Sequence, residues 1–135
     1  MSEETLQQIA SDVTLNWLHK HQIALFTVRT VSRNQLEGWF RAAKSIMDEW
    51  PQDRPLVMIH DDNYPGSSFT PAIRDYSIQL DKYRPDIVVH TAVVVPKTLM
   101  TQIVAVFMRT LRKSNRETRL FSTLEDAIDW AKTKL

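Results

Sequence analysis

The segment from Glu117 to Leu135 narrows the fold more than any other part of this chain. A short strand pattern, Arg119-Leu120-Phe121, runs directly into Ser122-Thr123-Leu124-Glu125. Serine three residues ahead of glutamate has the spacing of a capping box. In that motif the hydroxyl accepts from a free backbone N–H and the carboxylate reaches back to the cap's own N–H. An acidic first turn, with Lys132 and Lys134 at the far end, suits the helix dipole. The unit is strand, tight turn, amphipathic helix, and it belongs to an α/β fold.

The same alternation recurs upstream. Val13, Leu15 and Trp17 alternate with Thr14 and Asn16 at strand period. The polar connector Leu18-His19-Lys20-His21-Gln22 leads to a more thoroughly apolar strand, Ile23 to Arg29. Two strands and a short connector read as an antiparallel hairpin, although the turn lacks the usual glycine or asparagine. A helix through residues 3–18 is the competing reading. Residues 1–11, polar apart from Leu6, Ile9 and Ala10, are expected to be a flexible or short helical lead-in.

Ser32 and Gln35 form a second capping box, followed by Leu36, Phe40, Ala43, Met47 and Trp50 on one helical face ending near Pro51. Gly38 inside this helix costs about 1 kcal/mol relative to alanine, and either a close packing contact or plain solvent exposure would account for it. Pro55 to His60 is a short apolar run, read as a buried strand. The irregular stretch Asp61 to Phe69 precedes Thr70-Pro71, a cap with proline at the first helical position. Ile73, Tyr76, Leu80 and Tyr83 give that helix its inner face, and Arg84-Pro85 ends it. Ile87 to Val95, rich in β-branched residues, is the best central strand.

Lys97 to about Asn115 is a third helix. Its apolar residues, Leu99, Met100, Ile103, Val104, Val106, Phe107, Met108 and Leu111, cover more of the wheel than one core stripe needs. Either neighbouring elements cover this helix on two sides, or part of helix 98–114 is a homodimer or partner face. In sum, residues 1–135 form one α/β domain. An N-terminal antiparallel hairpin leads into a mixed, mostly parallel sheet of about five strands with about four helices.

Composition removes several function classes. There are 17 basic and 16 acidic residues, so the clustered excess expected of a nucleic-acid binder is missing. The nearest basic patch, Arg109, Arg112, Lys113, Arg116 and Arg119, reads as a solvated helix end. The absence of cysteine excludes disulfides, thiol catalysis and cysteine-bound zinc. With two glycines, Gly38 and Gly66, neither a P-loop nor a dinucleotide fingerprint can be built. No run approaches the roughly 18 apolar residues of a membrane span. A cytoplasmic location is the expectation.

The chain resembles a STAS domain, the anti-sigma-factor-antagonist fold, and more particularly its SpoIIAA-like branch. The likeness covers about residues 12–135. It rests on the hairpin, on Pro55–His60 before an irregular loop, on Thr91-Ala-Val-Val-Val-Pro96 before the third helix, and on Leu120 to Trp130. The resemblance implies a non-enzymatic regulatory or protein-interaction module, with a protein partner such as a regulator or kinase. In that family the loop after the third strand often carries a phosphorylatable serine within Asp-Ser-Ser/Thr-Gly. Here the loop reads Tyr64-Pro-Gly-Ser-Ser-Phe-Thr70 instead, so Ser67, Ser68 and Thr70 are positional candidates for a phospho-switch. A phosphate at a helix N-terminus would meet free N–H groups and a favourable dipole.

His60, Asp61, Asp62, Asn63 and Tyr64, at the carboxyl end of a buried strand, form the candidate ligand or partner loop. Strand carboxyl ends border the ligand crevice in open α/β sheets. A small-ligand or lipid-binding domain using the crevice at residues 60–62 is therefore the alternative function. Asp61 and Asp62 resemble a receiver-type acidic pair, but Leu25 to Thr30 supplies no acids and Arg119 to Ser122 no lysine. Asx-type hydrogen bonding within the loop is the simpler reading. His19, His21 and His60 would make a zinc site only if the connector and the strand end converged. Trp17, Trp39, Trp50 and Trp130, with five methionines, could line a lipid or hydrophobic-ligand pocket, but ordinary packing is the better reading, with Trp50 on the core seam and Trp39 and Trp130 half-buried on helix flanks. No catalytic set, cofactor site or metal site is assigned.

Overall fold

The computed structural model describes residues 5–30, 32–110 and 115–135, and of Thr5 and residues 106–110 the backbone alone. Among the described residues, six strands and four helices are present, with strand and helix alternating after an initial three-stranded antiparallel meander. They are β1 (Thr5–Ala10), β2 (Val13–Leu18), β3 (Ile23–Val28), α1 (Arg33–Glu49), β4 (Leu56–Asp61), α2 (Pro71–Lys82), β5 (Val89–Val94), α3 (Lys97–Thr110), β6 (Arg116–Phe121) and α4 (Leu124–Lys132). The sheet order follows the chain from β1 to β6. β1–β2 and β2–β3 are antiparallel, and β3 through β6 are parallel.

The anticipated mixed α/β architecture is present, with one strand more than expected. Residues 5–10 are neither a helical turn nor a loose lead-in but an edge strand on β2. Gln7 and Gln8 suit an edge, where polar side chains discourage further pairing. Ile9 and Ala10 pack on the core of the α1 side. This strand also accounts for Gly38. A Cβ at Gly38 would lie 3.3 Å from the Ala10 Cβ and 3.5 Å from Ile9, so the missing side chain lets β1 and α1 approach.

The hairpin turn is built without glycine. His19, Lys20 and His21 all adopt positive φ, at 55°, 58° and 63°, and Gln22 N–H donates to the Leu18 carbonyl at 3.1 Å. Each left-handed residue costs about 1–2 kcal/mol. An aromatic ladder opposes that cost. His21 stacks on Trp17 at 5.4 Å, Trp17 on Trp50 at 6.1 Å, and the Arg54 guanidinium lies 4.5 Å over Trp50.

α1 and α2 cover one sheet face, over Val13, Leu15, Ala24, Phe26, Met58 and Val89. α4 covers the other, over Ile23, Leu25, Val57, Ile59, Ala92 and Val94. β4 is buried along its whole length. α3 sits on the α1–α2 side, but only Ile103 among its described side chains is buried. Leu99 and Met100 are half-buried and Val104 is exposed. The side chains of Val106, Phe107 and Met108 and all of residues 111–114, which carry much of the expected apolar surplus and of the basic patch, lie outside the described residues.

Arg116 departs from the expected solvated patch. It is buried. Its guanidinium donates to the carbonyls of Asp81 at 3.2 Å and Arg84 at 2.8 Å, and to those of Tyr83 and Ile87, tying the end of α2 to the start of β6. Burial pushes its pKa down, against the nearby carboxylates of Asp81 and Asp86. Arg84, at φ 49°, performs the matching task for α1 by donating to the carbonyls of Met47, Asp48 and Trp50 while paired with Asp86 at 2.8 Å.

Two of the helix starts read from the sequence differ in detail. Gln35 does not close a capping box with Ser32. Its amide accepts from Asp12 N–H and donates to Ser11 Oγ, both at 2.7 Å, fastening the β1–β2 turn to α1. At α4 the cap is Thr123, which accepts from Asp126 N–H at 3.2 Å, one residue beyond Ser122.

Candidate functional site

The four parallel strands bring their carboxyl ends to one edge of the sheet, and the loop following β4 crosses it. Arg29, just past β3, donates to both the Asp61 carbonyl and Asp61 Oδ2 at 3.2 Å. Asp61 Oδ1 accepts from Asn63 N–H at 3.2 Å, the Asx-type turn anticipated for these acids. Asp62 N–H continues the ladder to the Val94 carbonyl at 2.9 Å, and Asn63 Nδ2 reaches the Ser122 carbonyl at 3.3 Å. The loop is thereby fixed to β3, β5 and the β6–α4 turn.

Asp61 is consumed by this structural role, whereas Asp62 is not. Asp62 is half-buried, and desolvation pushes its carboxyl up to about 7, with Asp61 adding to the shift and Arg29 opposing it. Burial likewise raises the Tyr64 phenol, helped by Asp62 and opposed by Ser67 and Arg29. Ser67 N–H closes a turn onto the Tyr64 carbonyl at 3.0 Å, with Gly66 at φ 85° supplying the left-handed residue. Thr70 is the cap of α2, its hydroxyl accepting from Ile73 N–H at 3.2 Å, and Pro71 opens the helix as the sequence indicates. Of the three candidate modification sites, Ser68 is exposed, Ser67 is half-buried and Thr70 is engaged.

His60 points to the α1–α2 side and is 9% exposed. Its ring meets Trp39 edge-on, with centroids 5.3 Å apart and planes at 87°, and Phe26 at 5.6 Å. Desolvation lowers its pKa to about 4, so the imidazole is neutral at physiological pH. His19 and His21 lie at the amino end of β3 and His60 near the carboxyl end of β4, so the three imidazoles do not converge. Among the described residues no three histidine, aspartate or glutamate side chains group as a metal site. No helix among them is long and apolar enough to cross a membrane.

Below α2 and α3, on the same face, is a cavity of about 100 Å³. His60 and Asp62 line its polar end, Ser67, Ser68 and Phe69 part of its wall, and Met58, Leu80, Val93, Leu99 and Ile103 its apolar body. The cavity exists because short side chains stand under long helices. β5 and β6 present Thr91 and Thr118, which are register partners, and α2 contributes Ser77. Two buried polar atoms of lining residues, His60 Nε2 and Trp39 Nε1, have no hydrogen-bond partner among the described residues.

The sequence points to His60, Asp62 and the loop, offers Trp39 as a pocket residue only to favour packing for it, and does not point to Ser77, Thr91 or Thr118. Trp39 is 4% exposed rather than half-buried, and Trp130 is buried as well. The usable signal is polar: threonines at alternate positions of β5 and β6 and a serine on the inner face of α2. No family model, curated protein or solved structure matches the chain.

Proposed function

We propose that this chain is a non-enzymatic regulatory module of SpoIIAA-like type that binds a small, mainly apolar ligand in the cavity below α2 and α3. Loop 61–70 is the surface a partner protein reads. One observation carries the proposal: the cavity wall is made partly of that loop, through Asp62, Ser67, Ser68 and Phe69. Filling the cavity and ordering the loop are then one event, with coupling set by the ligand's differential affinity for the two loop states. Binding sites of this kind are concave, mostly apolar and carry a few placed polar groups.

The test is hydrogen exchange at residues 61–70 with and without a set of benzene-sized probe molecules. Slower exchange in the loop, accompanied by a higher Tm, supports the proposal. Exchange and Tm indifferent to every probe would overturn it.

Ser68 carries a second reading, as a phosphorylated residue two positions before the α2 cap. Its exposure favours it over Ser67 and Thr70. A phosphate there would stand near the free N–H groups of α2. The intact mass of protein isolated from its own host checks this, and an unmodified mass across growth conditions would end it. Homodimerisation through the region 98–114 rests on the exposed Val104 of α3, and a strictly monomeric sedimentation profile at high concentration would remove it.

A further inference from the structure

The cavity's chemistry limits its ligand more narrowly than its shape does. Trp39 Nε1–H can only donate, so the ligand must offer it an acceptor. His60 Nε2 belongs to the same lining and likewise has no partner among the described residues. A neutral imidazole at this nitrogen either donates or accepts, depending on its tautomer. A carbonyl oxygen can take both donors, and a hydroxyl can accept from the indole and donate to the imidazole. A hydrocarbon satisfies neither atom.

Charge is excluded by the surroundings. The guanidinium of Arg116 is spent on backbone carbonyls, and that of Arg29 on Asp61. Neither is free to neutralise an anion beside His60. Asp62 would repel an anionic head above neutral pH, and desolvation already holds His60 uncharged. A cation would have to give up its hydration for a largely apolar wall; of the carboxylates in the lining, Glu117 is paired with His90 and Lys134 and Asp81 interacts with the Arg116 guanidinium, and the half-buried Asp62 does not offset that cost.

Volume sets the size. An engineered apolar cavity of about 150 Å³ takes benzene, so one of about 100 Å³ suits a compact molecule of about five to seven non-hydrogen atoms.

Resting on the ligand-binding reading above, we infer that the cavity selects a small uncharged oxygenated molecule, a ketone or alcohol, whose oxygen engages Trp39 Nε1–H and His60 Nε2. The threonines at Thr91 and Thr118 leave room for the body of the ligand against the sheet.

The experiment titrates the intact chain with cyclopentanone, cyclopentanol, methylcyclopentane and cyclobutanecarboxylate at pH 8, following the indole N–H resonances by ¹H–¹⁵N NMR. Trp39→Phe assigns the Trp39 signal. The expected result is a selective shift of the Trp39 indole N–H by the ketone and alcohol, which bind about tenfold more tightly than the hydrocarbon, the factor one buried hydrogen bond supplies. In Trp39→Phe that preference falls towards unity while hydrocarbon binding persists.

Equal binding of the hydrocarbon, or tighter binding of the carboxylate, overturns this inference and leaves the ligand-binding reading standing. No binding by any of the four, with the Trp39 resonance unmoved, overturns both and identifies the polar atoms as hydrated only.

Discussion

The indole of Trp39 stands edge-on to the imidazole of His60, their centroids 5.3 Å apart and their planes at 87°. This joins the inner face of α1 to the carboxyl end of β4 at the polar end of the cavity. The pair is packed ring against ring, with Trp39 Nε1 and His60 Nε2 unpartnered among the described residues. Neutral aromatic packing supplies part of its stability, and each unpaired buried N–H or nitrogen withholds about 1–3 kcal/mol. Such an arrangement is costly in a merely structural core and useful in a binding site.

Filling the cavity should therefore stabilise the fold and remove ligand response together. Ser77→Leu adds an apolar side chain from α2 into the volume and improves helix propensity. The expected gain is about 1 kcal/mol in chemical denaturation, with loss of the cyclopentanone-induced rise in Tm. Stabilisation with ligand response intact would locate binding elsewhere.

His60 and Asp62 make opposite demands on pH. The native carboxyl of Asp62 has its pKa raised from 3.8 to about 7, so the folded state holds the extra proton between these values and stability falls as pH rises. The native imidazole of His60 is lowered from 6.5 to about 4, so the unfolded state holds the extra proton there and stability rises with pH. Between about pH 4 and 6.5 the two contributions cancel, and above that Asp62 acts alone. Asp62→Asn should expose the His60 contribution as a stability rising with pH from 4 to 6.5. At pH 8 it should be more stable than the wild type by about 2 kcal/mol, allowing for partial exposure. Urea denaturation across pH 4–8 checks both. A variant curve parallel to the wild type would mean that Asp62 is not shifted in this way, and a variant curve flat from pH 4 to 6.5 that His60 is not.

The features legible in the amino-acid sequence are the local ones. Thr70-Pro71 starts α2 because capping needs only three residues of chain, and β4 announces itself by continuous apolarity. The same locality explains the near misses. Ser122 with Glu125 and Thr123 with Asp126 offer the same i, i+3 spacing, and only the exit of β6 decides between them. Gln35 has the spacing of a capping partner, but folding brings the β1–β2 turn within reach of its amide. Trp39 depends on the rotation of α1. With β1 packed over Gly38, the buried stripe runs through Leu36, Trp39, Ala43 and Met47, leaving Phe40 half-buried against Tyr76 at 4.6 Å. Arg116 is illegible for the same reason, since its four carbonyl partners lie about thirty residues away along the chain.

That arginine gives a sharp prediction. Arg116→Met keeps the length and apolar stem but removes the guanidinium donors to the carbonyls of Asp81, Tyr83, Arg84 and Ile87, of which Arg84 keeps the Ile87 N–H and Ile87 keeps the Asn115 amide. The loss should be about 3 kcal/mol, the scale of breaking a buried charged network. Arg116→Lys should recover only part of it, because an ammonium cannot match the planar fork. Denaturant midpoints distinguish the outcomes. A loss below about 0.5 kcal/mol, the range of ordinary surface substitutions, would return Arg116 to a solvated helix end.

The β2–β3 turn makes the last prediction, through the backbone alone. Lys20 is the middle of three consecutive left-handed residues, and its side chain is exposed. Glycine takes positive φ without the Cβ clash, although it also gains freedom in the unfolded chain. The relief exceeds the entropic loss at a fixed φ of 58°, so Lys20→Gly should stabilise by about 0.5–1 kcal/mol. Lys20→Val, β-branched at the same φ, should destabilise by at least as much. His21→Gly provides the contrast, since it relieves the same kind of strain but removes the ring that stacks on Trp17, and should gain less than Lys20→Gly. Equal gains at positions 20 and 21 would mean that the stack contributes nothing to holding the turn.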